Sequence, residues 1–344
     1  MTEYSLAFIG FGNVGRAFAR LLLRKEGILQ AQFNTTCKVT GIATARHGTA
    51  IDPAGISLQR ALSLLESGQS LAALSVQPAP AGILDFIAQC PADILFENSP
   101  VNHNTGQPAV DYLKAALSKG MHAVTANKGP VAYAFNELNS LAASQGRRFM
   151  FESTVMDGAP IFSLFRGSLP AAQLLGFQGI LNSCTNLIIG LMEDGKTLPE
   201  AVSYAQSIGI TETDPSADVD GWDAAIKISV LATVLMGVPL KPNQVSRTGI
   251  RAITPAMIAE ARQAGERWKL VCTAKSRTAD GVEAQVAPQR IPAGSPFYSI
   301  NGTSSYVQFE LDVLPALGIV EGNPGPETTA FGLLADMINI IRGS

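Results

Sequence analysis

The sequence predicts an α/β protein: a parallel sheet with helices on both faces, followed by a second domain of α+β character. Three observations carry this expectation. At 344 residues the chain exceeds the size at which one hydrophobic core keeps growing. Over the first 150 residues short apolar runs alternate with amphipathic stretches, the pattern of repeated βα units. Beyond residue 150 strand-like alternation (173–182, 282–291, 305–314) is interspersed with helical spacing at 197–208 and 223–236. The expected domains are 1–150 and 151–325, with a C-terminal helix over 326–344 packing back on the first.

The elements follow in order. Residues 5–9, "SLAFI", form a strand running directly into "GFGNVG", and "RAFARLLLRKEG" then has helical spacing up to Gly27, which reads as its end. "CKVTGIAT" is the second strand. "ADILFENSP" and "HAVTANK" read as further short buried strands, with "GQPAVDYLKAALSKG" as the helix between them. "ETTAFGLLADMINIIRG" is amphipathic and opens on a Glu and Thr pair suited to capping, so it closes the chain as a helix.

Composition narrows the function classes. Hydrophobic residues make up 47%, charged residues 15%, and the net charge is −3, so there is no basic footprint for nucleic acid and no charge block for a membrane surface. The longest uncharged run, Ile228 to Leu240, is shorter than the ~18 apolar residues a membrane span needs. The N-terminus lacks a basic region and its apolar segment is cut by glycines, which argues against a signal peptide and for a cytoplasmic protein. Cys37, Cys90, Cys184 and Cys272 show no C-x-x-C spacing and the three histidines no ligand spacing, so buried thiols are expected rather than disulfides or a transition-metal site.

Gly10, Gly12 and Gly15 form G-x-G-x-x-G around Phe11, Asn13 and Val14. The motif follows a strand and opens a helix, the context in which the glycines permit a tight turn, a pyrophosphate's approach and close helix packing. Exposed amides at the helix start then hold the anion. The reading is a Rossmann-type dinucleotide-binding domain. An NAD site usually has an acidic residue ending the second strand. Here no carboxylate precedes Asp52 and Arg46 stands beside His47 instead, which favours the 2′-phosphate of NADP, with NAD as the alternative.

The stretch "TETDPSADVDGWDAAIKISVLATVLMGVPL" from Thr211 gathers five acidic residues, Glu212, Asp214, Asp218, Asp220 and Asp223, before a single lysine, Lys227. Asp220 to Asp223 reads as a cap on a helix from Trp222 to about Met236, with the other carboxylates converging on the same helix start. Asp223 and Lys227 are four apart and share a face, on a helix with apolar residues all round. A lysine there is removed from water. Desolvation moves its pKa towards proton exchange while the carboxylate opposes that shift, which are properties of a general acid and base.

At this point the sequence resembles the homoserine dehydrogenase family in its short form, without a regulatory ACT extension. "FIGFGNVG" resembles the family's nucleotide turn, "VTANKGPVA" its cofactor-side lysine segment, "LNSCTNLIIGLMEDG" its substrate-domain loop, and "AQSIGITETDPSADVDGWDAAIKISVLA" its catalytic signature. The resemblance implies that Lys227 transfers the proton, Asp223 partners it, and Glu212 and Asp218 bind the amino acid substrate. Lys128 would lie between nicotinamide and substrate. Asn98 and Ser99, with Gly325 and Thr329, would close over the cofactor beside Gly10, Gly12, Asn13, Val14, Gly15 and Arg46. A sodium ion would sit at Glu152, Val155, Asp157 and Ala159. The implied reaction is the reversible NADP-linked interconversion of L-homoserine and L-aspartate 4-semialdehyde in threonine, methionine and isoleucine biosynthesis, by a homodimer. The chain departs from the family at Met156-Asp157-Gly158, where glycine-rich G-A-G or G-G-G is common, and at Ser183-Cys184-Thr185-Asn186, where Gly-Thr-Thr-Asn is usual.

Overall fold

The computed structural model describes residues 1–211, 213–278 and 281–343. The chain divides into two compact units, Met1–Gly167 together with Gly325–Ser344, and Ser168–Pro324.

The first unit comprises β1 (Thr2–Ile9), α1 (Asn13–Phe33), β2 (Thr35–Ala43), β3 (Thr49–Ile51), α2 (Leu58–Glu66), α3 (Ile83–Gln89), β4 (Ile94–Glu97), α4 (Ala109–Ser118), β5 (His122–Thr125), α5 (Lys128–Ser144, kinked at Ala134), β6 (Phe149–Met150) and α6 (Ile161–Gly167). Its sheet runs β3-β2-β1-β4-β5-β6, parallel except for β3, which pairs antiparallel with β2. Both faces of the sheet are covered. Leu6 and Phe8 of β1 pack with Phe18, Leu22 and Phe96 on one side, while Ala7 and Ile9 pack with Phe86, Leu95 and Ala116 on the other. The period of two therefore buries every residue from Leu6 to Ile9, which is why that stretch reads as continuously apolar.

Gly27 does not end α1. The helix continues to Phe33, and Asn34 stops it in the left-handed region (φ 51°), its N–H bonding to Gln30 O. A mid-helix glycine costs about 1 kcal/mol. Burial of Leu29 beyond it outweighs that. The unit also runs past residue 150, because the Phe151 ring packs on Phe149 and Phe162 at 5.2 and 4.9 Å between centroids.

The second unit contains β7 (Leu174–Ile180), α7 (Ser183–Glu193), α8 (Leu198–Ser207), α9 (Ser216–Val219), α10 (Trp222–Leu235), β8 (Ser246–Arg247), α11 (Pro255–Gln263), β9 (Glu266–Thr278), β10 (Gly281–Pro292), β11 (Ser305–Leu311) and β12 (Leu317–Glu321). Its sheet runs β12-β11-β7-β9-β10-β8, antiparallel apart from β8. β9 escapes the sequence pattern because a lysine, Lys269, occupies one of its buried positions. The last helix, α12 (Pro326–Arg342), belongs to the first unit, where Leu333 and Met337 join the core of Leu6 and Phe8. Its first turn is tied by Thr328 Oγ1, which accepts from Gly325 N at 2.8 Å. Among the described residues no helix is long and apolar enough to cross a membrane.

Candidate active site

In the first unit the turn from β1 to α1 is shaped by contact. Gly10 has φ +85°, and a Cβ there would meet Asn98 O at 2.5 Å, while one on Gly15 would meet Gly10 O at 2.6 Å. Gly12 differs. A Cβ on it would meet nothing of the chain within 4 Å, so its open side faces space a ligand can occupy. Exposed Asn13 and half-buried Val14 follow, at the start of a helix with no side-chain cap and no acid in its first turn. Such an end favours an anion. Asn98 adds a second sign: both polar atoms of its amide are buried without a partner, a costly condition that a bound ligand relieves. These residues fit a dinucleotide. Arg46 lies in the turn after β2 with its side chain exposed.

Ser99 is held by Glu97, a carboxylate that no motif singles out. Glu97 is fully buried at the end of β4. Its Oε1 accepts from Ser99 N at 2.8 Å and from the Ser99 hydroxyl, and its Oε2 accepts from Thr125 Oγ1 at 2.9 Å. Burial pushes its pKa up, opposed by these bonds. Asn127 closes the ring: its N–H donates to Thr125 Oγ1 at 2.9 Å and its Nδ2 to Ser99 O at 3.3 Å. Its Oδ1 caps α5 by accepting from Gly129 N at 3.0 Å. Half-buried Lys128 is the first residue of that helix.

The candidate cation segment is engaged elsewhere. Glu152 uses both carboxylate oxygens to accept from Phe162 N and Ser163 N, at 2.6 and 2.8 Å, at the start of α6. Asp157 Oδ1 accepts from Thr329 Oγ1 at 2.6 Å, and Ala159 O accepts from Ile161 N at 2.8 Å. Val155 is buried beside them. Among the described residues no group of three or more His, Cys, Asp or Glu side chains is placed to hold a metal. The side chains of Glu152 and Asp157 thus act as a helix cap and as a tie to α12, and do not fit a vacant cation cage.

In the second unit, Lys227 projects from the first turns of α10 towards the junction of β7 and α7. Its Nζ donates to Leu181 O at 2.7 Å and lies 3.3 Å from Asp223 Oδ2, the two side chains being 15% and 10% exposed. The next residue, Asn182, donates from Nδ2 to Asp218 Oδ1 at 2.8 Å and to Asp223 Oδ2 at 2.9 Å. Asp218 Oδ2 accepts from Thr211 Oγ1 at 2.6 Å. Two cysteines border the group: burial raises the Cys184 thiol, with Asp218 adding to the effect, and raises the Cys272 thiol to about 12. Both are therefore neutral neighbours.

The five carboxylates do not all converge. Asp214 is exposed and accepts from Ser216 N in its own turn. Asp220 is drawn the other way by Arg251, whose Nε lies 2.5 Å from its Oδ1, while Arg247 donates to its carbonyl and covers the Trp222 ring at 3.7 Å. Nor does Asp220 cap α10. The N-cap is Gly221 at φ 77°, with no side-chain bond. Glu212 lies outside the described residues. What remains is Asp218, Asp223 and Lys227, joined through Asn182.

Comparison with known proteins decides what this arrangement belongs to. Residues 10–152 match the model of the homoserine dehydrogenase NAD binding domain and residues 160–338 match the homoserine dehydrogenase model. An NAD(+)-dependent homoserine dehydrogenase of Pseudomonas canavaninivorans is 36% identical, covering 99% of this chain and 97% of that protein. The homoserine dehydrogenase of Methanocaldococcus jannaschii is 33% identical, covering 98% and 99%. The chain belongs to the homoserine dehydrogenase family. A hyperthermophilic archaeal homoserine dehydrogenase in complex with NADPH superposes with a TM-score of 0.84 at 27% identity, covering 100% of this chain and 99% of the other.

Homoserine dehydrogenases are NAD(P)-dependent oxidoreductases acting on a CH-OH group. Within this homoserine dehydrogenase, Asn182, Glu97, Thr125 and Asn127 are the polar residues that sequence reading missed. The only available signal was local, an asparagine immediately ahead of each of two helices, which marks an N-cap and nothing more.

Proposed function

We propose that the chain interconverts L-homoserine and L-aspartate 4-semialdehyde with NADP, Lys227 carrying the proton. The observation supporting this is an ammonium almost removed from water yet held at two points, by Leu181 O and by Asp223. A lysine so held exchanges a proton at a fixed place. When homoserine is oxidised, Lys227 Nζ as the neutral amine takes the hydroxyl proton and becomes the ammonium, and in the reverse direction the ammonium returns that proton to the developing alkoxide. The nicotinamide, when bound, supplies the hydride acceptor or donor. Asp223 orients the lysine, Asp218 and Glu212 receive the substrate ammonium, and Lys128 adds a second positive charge that stabilises alkoxide.

The residues proposed to hold the dinucleotide are Gly10, Gly12, Asn13, Val14, Gly15, Asn98 and Ser99, with Gly325 and Thr329 from the start of α12. Arg46 favours the 2′-phosphate of NADP. A relative described as NAD(+)-dependent keeps NAD as the second reading, and one described in complex with NADPH supports the first. The steps above are carried by side chains, and the Glu152 and Asp157 carboxylates of the candidate cation segment have the partners described. A cytoplasmic homodimer completes the reading. Val313 and Val320, each more than 60% exposed beside the sheet edge at β12, are apolar surface that a second copy would cover, and light scattering tests it.

The deciding experiment is initial rates of nicotinamide reduction with L-homoserine, using NADP and NAD in parallel, on wild type and Lys227→Ala. NADP turnover that falls at least about a hundredfold in the variant, with NADP affinity kept, is the expected result. Tight NADP binding without turnover of the wild type would refute it.

A further inference from the structure

Resting on that reading, we propose that Asn182 is a positioning residue of the reaction: its amide nitrogen holds Asp218 and Asp223 as two separate carboxylates and fixes the oxygen that orients Lys227. Both hydrogens of Nδ2 are used, one on Asp218 Oδ1 at 2.8 Å and one on Asp223 Oδ2 at 2.9 Å. That same Asp223 Oδ2 faces Lys227 Nζ at 3.3 Å. The amide cannot turn over. Its Oδ1 accepts from Thr185 N at 2.7 Å and Thr185 Oγ1 at 2.9 Å, so rotation would set the NH2 against a backbone N–H and the carbonyl against two carboxylates.

Asn182 is only 4% exposed. Among the described residues the titratable groups around it are Cys184 from α7, Asp218 from α9, Asp223 and Lys227 from α10, and Cys272 from β9. Both thiols stay neutral, and Lys227 faces Asp223 Oδ2 as a cation. Two carboxylates bound to one amide group lie close together, and donors placed on both offset their repulsion. The Asn182 amide supplies one to each. Without it Asp223 loses the donor that sets its Oδ2 against Lys227 Nζ.

Capping and bridging are separable by substitution. Asp ranks with Asn as an N-cap and Ser close to them, so Asn182→Asp and Asn182→Ser both keep an acceptor for the α7 amides while removing the bridging NH2. If Asn182 only caps, Asn182→Ser matches the wild type; Asn182→Asp also sets a third carboxylate against Asp218 and Asp223, so the serine variant decides. If it bridges, kcat falls about tenfold to a hundredfold in both. The acid limb of the rate profile then moves to higher pH, while NADP binding, followed by fluorescence, is unchanged. Carboxyl 13C titration of aspartate-labelled protein reads the same effect without turnover: an aspartate in Asn182→Ser takes up its proton about one pH unit higher, a tenfold change. Failure of the wild type to oxidise homoserine would overturn the reaction and leave this titration as the test of Asn182. Wild-type kcat with wild-type carboxyl titrations in Asn182→Ser would overturn the role of Asn182.

Discussion

Lys269 offers a quantitative test of how this protein tolerates a buried charge. It is 1% exposed, and its Nζ donates to Asn186 Oδ1 at 2.9 Å and Ile300 O at 2.5 Å. Burial, and secondarily the charge of Arg267, lowers its pKa from 10.5 to about 8, against a smaller opposing effect of Glu193. That fall corresponds to a cost of about 3 kcal/mol for keeping the ammonium in the folded state. The sign follows from proton counting. Between about pH 8 and 10.5 the unfolded chain still holds the proton that the folded chain has lost, so stability rises with pH across that window. Below pH 8 both states are charged and the full cost applies. Lys269→Met keeps the side chain's length and removes the titration, but leaves Asn186 Oδ1 without its donor, a loss of about 1–3 kcal/mol. At pH 7 the variant should therefore lie within about 2 kcal/mol of the wild type. Urea unfolding at closely spaced pH values from 7 to 11 measures both proteins, and groups common to them cancel in the difference. The wild type should gain about 3 kcal/mol on the variant between pH 8 and 10.5. Parallel stability curves would refute the argument.

Three further outcomes follow from named positions. Gly12→Ala should fold as the wild type does, since its Cβ meets no atom of the chain within 4 Å, while NADP affinity by calorimetry falls at least about tenfold. Arg46→Ser should weaken NADPH about tenfold or more and leave NADH unchanged, because a charge-assisted bond to the 2′-phosphate is worth about 1.5–3 kcal/mol and NADH has no such phosphate. Asp336 is fully buried, and burial, with Glu152 beside it, raises its pKa well above the ordinary carboxylate value. A raised carboxyl means stability lost as pH rises towards the folded value. Thermal midpoints at pH 5 and pH 8 should show a smaller drop for Asp336→Asn than for the wild type.

The sequence made legible whatever depended on near neighbours. Strand, glycine turn and helix at Ile9 to Asn13 are contiguous, and Asp223 and Lys227 share a face by helical geometry alone. Long-range partners were hidden. Lys227 finds Leu181 46 residues away, and Asn182 finds Asp218 and Asp223 across 36 and 41 residues. Asp220 looked identical to Asp218 as a letter, yet it pairs with Arg251, 31 residues on. Nothing in the spacing of the acidic run distinguishes them. Gly27 misled for a different reason: its conformational cost is local, whereas the burial of Leu29 that outweighs it belongs to the folded unit.

The two units solve one problem in the same way. Each holds a lysine near the end of a strand, and each has an asparagine N-cap with two sets of partners. Asn127 gives its oxygen to Gly129 N and its nitrogen to Ser99 O, tying the loop after β4 to the helix that begins with Lys128. Asn182 gives its oxygen to Thr185 and its nitrogen to Asp218 and Asp223. Asn is suited to this because one flat group offers an acceptor and two donors, so the cap fixes the direction in which the donors point. Ser or Asp would cap about as well and leave the second task undone. The choice of asparagine over its capping equivalents is thus where local helix chemistry becomes site geometry. It also explains why an N-cap signal, read from sequence alone, understated what these residues do.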